Sequence, residues 1–184
     1  MSKRLIIVTN SSSNLLSFRG HLIKKLVDEK FQVLVIIPKK DFSIDFENKV
    51  LALGAKTSTI PLDRAGLNPF NDILTYLSLK SNFKKFKPNI VLSYTSKPII
   101  YSGLAIGKDS KIKFFPTLTG LGYGFTEELQ FKRKFINYIL KNLYKISLKY
   151  SSSVIFQNPD DELLFRNLNI IKNRKTSIVN GSGV

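Results

Sequence analysis

Short apolar, β-branched runs alternate along the chain with longer stretches in which apolar residues recur every three or four positions. Length and period together predict strands at Arg4–Thr9, Gln32–Ile37, Lys56–Ile60, Ile90–Ser93, Lys113–Thr117, Ser153–Gln157 and Thr176–Val179. Helices are predicted between them at Phe18–Glu29, Asp41–Leu53, Pro69–Phe83, Ile99–Ile106, Leu129–Tyr150 and Pro159–Leu168. Leu5-Ile6-Ile7-Val8 and Val33-Leu34-Val35-Ile36-Ile37 contain no polar position. Such runs suit strands covered on both faces, as in a parallel sheet between helical layers. Local punctuation agrees: Asn68-Pro69 and Asn158-Pro159-Asp160-Asp161-Glu162 read as capped helix starts, and Gly54 as a helix stop. The expected class is therefore α/β, with a Rossmann-like parallel sheet of about seven strands and helices on both faces.

Composition narrows the chemistry. The 184 residues suit one domain, which at this length buries roughly 70% of the surface its unfolded chain exposes. Cysteine is absent and His21 is the sole histidine, which comes close to excluding a zinc-dependent mechanism, and neither metal nor cofactor is expected. The lack of cysteine fits a reducing compartment. No apolar run approaches the roughly 18 residues of a membrane-spanning helix, and Met1-Ser2-Lys3-Arg4 does not open a secretion signal, so a cytoplasmic location is expected. Lys plus Arg number 29 against 13 Asp plus Glu, a net charge of +16. That excess calls for a polyanionic neighbour: nucleic acid, an anionic membrane surface or a phosphorylated substrate.

Open parallel sheets bind ligands outside the carboxyl ends of their strands, so the segments after each strand are the candidates. The first is Asn10-Ser11-Ser12-Ser13-Asn14, leading to Phe18 and Arg19; it reads as an anion or sugar site at a helix start, or as a solvated loop. It lacks the G-x-G-x-x-G spacing of dinucleotide binders, which disfavours a small oxidoreductase. Arg64, after the third strand, reaches a phosphate or pairs with Asp63. Tyr94-Thr95-Ser96-Lys97-Pro98 places a lysine beside hydroxyls, either for a phosphate oxygen or as a surface turn. Thr117 to Phe125 carries Gly120, Gly122 and Gly124, which allow close backbone approach to a ligand or simply make a turn.

The long helix after Thr126 carries Lys134, Lys141, Lys145 and Lys149 on one face, with Phe135, Ile139, Leu143 and Ile146 as the expected buried stripe. Without acidic residues, that face suits an anionic membrane, the alternative being an ordinary solvated surface. His21, alone within the first helix, carries no expected catalytic role.

Taken in order, several segments resemble the N-terminal half of the family-four retaining glycosyltransferases of GT-B fold, in the branch that builds capsule, O-antigen or other lipid-linked glycans. They are Ser17-Phe18-Arg19-Gly20, Arg64-Ala65-Gly66-Leu67-Asn68-Pro69-Phe70, Ser93-Tyr94-Thr95-Ser96-Lys97-Pro98 through Gly103, Thr119-Gly120-Leu121-Gly122-Tyr123-Gly124-Phe125-Thr126, Val154-Ile155-Phe156-Gln157-Asn158-Pro159-Asp160-Asp161 and Gly181-Ser182-Gly183-Val184. The resemblance implies that residues 1–179 form an acceptor-binding domain, that 180–184 begin an interdomain linker, and that the donor-binding C-terminal domain is absent. It also implies a polyprenyl-diphosphate-linked saccharide acceptor and a nucleotide-sugar donor held by a missing or separate domain. The chain would then be inactive alone and peripheral on the inner face of the membrane. Asn10, Ser11, Ser12, Phe18, Arg19, Arg64, Thr95, Lys97, Thr119, Gly120 and Gly122 would line the acceptor side; catalytic residues stay unassigned. Many family members place a histidine near the loop that here reads Thr95-Ser96, where this chain has none. The competing expectations are a non-catalytic membrane-surface protein and a basic nucleic-acid binder, although no recognised nucleic-acid module is present and specific nucleic acid is not an expected partner.

Overall fold

The computed structural model describes residues 3–13, 15–64, 68–108, 111–120 and 131–181, with the backbone alone at 131–135. Seven strands form one parallel sheet: β1 (Arg4–Val8), β2 (Gln32–Pro38), β3 (Lys56–Ile60), β4 (Ile90–Tyr94), β5 (Lys113–Leu118), β6 (Val154–Phe156) and β7 (Thr176–Ile178). Their spatial order is β3-β2-β1-β4-β5-β6-β7. Among the described residues, six α-helices connect them: α1 (Leu15–Asp28), α2 (Ile44–Ala52), α3 (Pro69–Phe86), α4 (Ser96–Ile106), α5 (Phe131–Leu148) and α6 (Pro159–Asn167). The α/β class and the parallel sheet expected from the sequence are the observed ones.

The apolar strands are buried on both faces, which explains their lack of alternation. Leu5 and Ile7 pack with α1 and α2 residues such as Ile23, Phe46 and Val50. Ile6 and Val8 point to the other face, against Leu79 and Phe83 of α3 and Ile106 of α4. A third cluster joins Leu118 and Phe156 to Ile99, Ile100, Tyr144, Leu148 and Phe165. Phe165 sits edge-on to both Tyr144 and Phe156, at centroid separations of 5.2 and 5.7 Å.

The helix caps act as their residue types dictate. Asn68 Oδ1 accepts from the Phe70 amide at 3.0 Å, and Asn158 Oδ1 from the Asp161 amide at 2.7 Å. Several boundaries differ from expectation: α1 begins at Leu15 rather than Phe18, and α2 at Ile44 rather than Asp41. Helix α4 begins at Ser96 rather than Ile99 because Pro98 occupies its first turn, where a missing N–H costs nothing. Helix α3 continues to Phe86 and stops at Lys87 in the left-handed conformation, φ 51°.

Helix α5 is turned differently from the stripe expected for it. Ile139 and Ile146 are 42% and 52% exposed, whereas Tyr144, Ser147 and Leu148 are buried. Two contacts impose this rotation: Tyr144 reaches Phe165, and Gly103 of α4 lets Ser147 approach so closely that a Cβ there would lie 2.7 Å from the Ser147 Cβ.

At the far edge, Glu162 ties α6 to β7, accepting from Thr176 Oγ1 at 2.7 Å and from Arg166 Nη2 at 2.7 Å. These bonds hold its carboxyl below the ordinary 4.5, the Thr176 hydroxyl contributing most and Arg166 next. A depressed folded-state value means the contribution is present above pH 4.5 and lost as pH falls below it. Urea midpoints of wild type and Glu162→Gln should therefore differ at neutral pH and converge in acid. A gap that persists unchanged into acid contradicts the assignment.

Candidate functional site

The strand order reverses between β1, whose other neighbour is β2, and β4, so the connections leaving these two strands depart to opposite sides and open a crevice at their carboxyl ends. A cavity of about 320 Å³ lies there. The loop after β1 supplies Thr9, Asn10 and Ser11; the end of β4 supplies Tyr94 and Thr95; Thr119 follows β5 and Gln157 follows β6. Arg64, between β3 and α3, and Leu15, Phe18 and Arg19 of α1 complete the lining. Seven residues named from the sequence thus meet in one cavity: Asn10, Ser11, Phe18, Arg19, Arg64, Thr95 and Thr119.

Arg19 is held by aromatic packing. Its guanidinium lies 4.5 Å from the Tyr94 ring centroid, and its Nη1 donates to the Phe18 carbonyl at 3.1 Å. A cation over an aromatic face gains about 0.5–2 kcal/mol, which presents the charge to the cavity in a fixed place. Burial pushes the Tyr94 phenol up, opposed by the Arg19 charge, so Tyr94 stays neutral beneath it. Arg64 is exposed, and among the described residues it makes no ion pair, while Asp63 pairs with Lys40 at 3.3 Å. The cavity therefore carries two cations and no carboxylate among its lining residues.

Thr95 is the most unusual residue of the site. Its backbone adopts φ 70°, ψ 166°, a region nearly reserved for glycine, and among the described residues its buried Oγ1 has no hydrogen-bond partner. Its amide still donates to the Thr117 carbonyl at 3.4 Å, and its carbonyl accepts from the Ile99 amide at 3.1 Å. This one twisted residue ends the ladder of β4 and starts α4. As N-cap residue of α4, Thr95 makes no side-chain cap, and the first turn of the helix contains no acid, so its amides and dipole favour an anion beside the orphaned hydroxyl. Strain of about 1–3 kcal/mol is retained here. Glycine relieves that strain at an entropic cost of about 1 kcal/mol. Thr95→Gly should leave stability unchanged or raise it by up to about 2 kcal/mol in urea denaturation. A loss above about 1 kcal/mol shows that Thr95 is a structural residue.

The remaining sequence-derived candidates are placed elsewhere. Ser12 faces the turn after β2, its Oγ donating to the Asp41 carbonyl at 2.9 Å and its amide to Asp41 Oδ2 at 3.3 Å. It shapes the loop that presents Asn10 and Ser11. Lys97 turns away from the cavity to a half-buried ion pair with Asp72 at 2.7 Å. Gly120 has φ 122°, a conformation that favours glycine, and Gly122 lies outside the described residues. Among the lysines of α5, the Lys134 side chain lies outside the described set and Lys141 is half-buried. Lys145 and Lys149 line a concavity of about 430 Å³ with Lys172 and Arg174, at the opposite sheet edge. Among the described residues, no cluster of His, Cys, Asp or Glu could hold a metal ion, and no helix is long and apolar enough to cross a membrane.

Thr9, Leu15, Tyr94 and Gln157 line the cavity without having been singled out as site residues. The rule that selected the other positions, attention to the carboxyl end of each strand, also covers Tyr94 and Gln157. A second opening of about 440 Å³ shares Phe18, Arg19, Tyr94 and Gln157 and adds His21 and Val179 to Gly181, so these last described residues pass beside the same edge.

A parallel sheet of this order, with a polar crevice at its switch point, is Rossmann-like, the build shared by each half of the GT-B fold. Residues 6–158 match the glycosyl transferase 4-like family, and the chain belongs to that family. It is 28% identical over 182 residues to the N,N'-diacetylbacillosaminyl-diphospho-undecaprenol alpha-1,3-N-acetylgalactosaminyltransferase of Campylobacter jejuni, covering 98% of this chain and 46% of that protein. Among solved structures it is similar to sucrose-phosphate synthase from Thermosynechococcus elongatus, with TM-score 0.66 and 11% identity over 96% of this chain and 48% of that one. It is also similar to MurG of Acinetobacter baumannii, with TM-score 0.59 and 16% identity over 97% of this chain and 45% of that one. The chain thus spans about half the length of the relatives it matches.

Proposed function

We propose that this chain is the acceptor-side half of a glycosyltransferase. In this reading it holds a polyprenyl-diphosphate-linked saccharide while a nucleotide sugar, bound by a donor domain, delivers its sugar in bacterial surface polysaccharide or glycan synthesis. Residues 1–179 are the acceptor-binding domain and 180–184 the start of the interdomain linker. The observation that carries the reading is the cavity at the switch point, where Arg19 and Arg64 stand among hydroxyl and amide groups with no carboxylate in the lining. Two guanidinium groups and an uncapped helix end suit a diphosphate, and Asn10, Ser11, Thr95, Thr119 and Gln157 suit sugar hydroxyls. The C. jejuni relative, whose name specifies a diphospho-undecaprenol substrate, supports the choice of acceptor.

The chemistry of this half is positional: charge on Arg19 and Arg64 anchors the diphosphate, and the hydroxyl-bearing strand ends orient the accepting sugar toward the open edge. Lys134, Lys141, Lys145 and Lys149 contact an anionic membrane surface in this reading, which places the protein peripherally on the cytoplasmic face. The concavity that Lys145 and Lys149 form with Lys172 and Arg174 supports that role.

The test is transfer of radiolabelled sugar from nucleotide sugar to a polyprenyl-diphosphate-linked acceptor. The 184-residue chain alone should give no product, and addition of a matched donor-binding domain should restore transfer. Turnover by the chain alone would sink the half-enzyme reading. Selective DNA or RNA binding at physiological salt would favour the nucleic-acid alternative instead.

A further inference from the structure

Helices α3, α4 and α5 enclose a second groove, of about 710 Å³, that differs chemically from the polar cavity. Its walls are Ile73 and Tyr76 of α3, Ile100 and Leu104 of α4, and Ile139 and Leu143 of α5. Asp72, Lys97 and Tyr101 meet at one end, and on α3 the Tyr76 hydroxyl accepts from Lys80 at 3.4 Å. Asp72 pairs with Lys97 at 2.7 Å and accepts from the Tyr101 hydroxyl, whose pKa is pushed up by burial first and by that carboxylate second. The three groups thereby compensate one another, which leaves the groove apolar. Exposed apolar side chains continue from it along α3: Phe70, Leu74 and Leu77 stand open on the same helix.

The polar end adjoins the cavity at the sheet edge. Both sites flank the first turn of α4: Thr95 lines the polar cavity, and Lys97, two residues on, lines the groove. An occupant of both sites would carry an anion at Arg19, Arg64 and the α4 amino end, and a hydrocarbon chain running between α3 and α5. Resting on the acceptor reading above, we infer that the groove takes the head-proximal isoprene units of the lipid-linked acceptor. The surface thus reads both parts of a prenyl diphosphate. Charge complementarity at one end and the aliphatic walls of Ile73, Ile100, Leu104, Ile139 and Leu143 beyond it select an anionic amphiphile over a polar ligand or a charged helix.

The experiment is calorimetric titration of the 184-residue chain with inorganic diphosphate and with geranyl, farnesyl and geranylgeranyl diphosphates, all below their micellar concentrations. Affinity should rise about tenfold with each isoprene unit until the groove is filled. Ile73→Glu and Ile139→Glu, both at exposed positions, should flatten the series while leaving inorganic diphosphate binding and the melting temperature unchanged. A flat series for the wild-type chain, or a series indifferent to both variants, overturns the inference. Equal loss of binding by these variants to phosphatidylcholine–phosphatidylglycerol vesicles free of prenyl diphosphate assigns the groove to the bilayer and also overturns it. A dimer dissolved by the same variants assigns it to a second copy, with the same consequence. A flat series in which Arg64→Ala still weakens diphosphate binding defeats the groove alone. No prenyl diphosphate binding at all, with Arg64→Ala silent, defeats the acceptor reading itself.

Discussion

Arg64→Ala and Arg19→Ala should each weaken binding of a prenyl diphosphate sugar about tenfold to a hundredfold, with the melting temperature of the chain little changed. A hydrogen bond to a charged group contributes about 1.5–3 kcal/mol, and each 1.4 kcal/mol is a factor of ten. Arg64 is exposed and has no ion pair among the described residues, so its removal disturbs no partner. Arg19 gives up its contact over Tyr94, worth about 0.5–2 kcal/mol, so its variant should show the larger stability change of the two. Lysine should rescue position 64 in part, because a point charge suffices at an exposed site. It should rescue position 19 poorly, because the planar guanidinium stacks on the ring. Titration of the variants with a prenyl diphosphate sugar checks both statements. Unchanged affinity in both alanine variants would remove the two cations from the site.

Phe165→Ala should destabilise the domain by about 3–5 kcal/mol, a large part of the total for a domain of this size. Phe165 is fully buried on α6 and touches both Tyr144 of α5 and Phe156 of β6. Its ring sets the rotation of α5, and therefore which side of that helix faces the apolar groove. Loss of the ring leaves a cavity and removes two edge-to-face contacts of about 0.5–1.5 kcal/mol each, part of the same total. Urea denaturation checks the magnitude; a loss below about 1 kcal/mol contradicts the packing described for α5.

The parts legible in the sequence were those with local causes. Continuous apolar runs mark β1 and β2 because both strand faces are covered, and Asn68 and Asn158 mark helix starts because their side chains cap the next turn. The strand-end rule gathered Asn10, Arg19, Arg64, Thr95 and Thr119 without knowledge of the strand order, since every parallel strand points its carboxyl end to the same edge. What escaped depends on pairs distant in sequence. Lys97 is drawn off by Asp72, which lies on another helix, and nothing near Lys97 in the chain announces that partner. The α5 stripe was misassigned because Gly103 and Phe165, on two other helices, decide which side of an amphipathic helix turns inward. The apolar groove needs three helices at once. Thr95 carries no sequence mark of its positive φ, because a β-branched residue is the last expected there.

The measurement closest to the central claim compares two ligands on the purified 184-residue chain: a polyprenyl-diphosphate-linked sugar and a nucleotide sugar. The account predicts saturable binding of the lipid-linked sugar, weakened by Arg64→Ala, and no measurable binding of the nucleotide sugar. Saturable nucleotide-sugar binding that the lipid-linked sugar fails to match would assign this half to the donor and contradict the account.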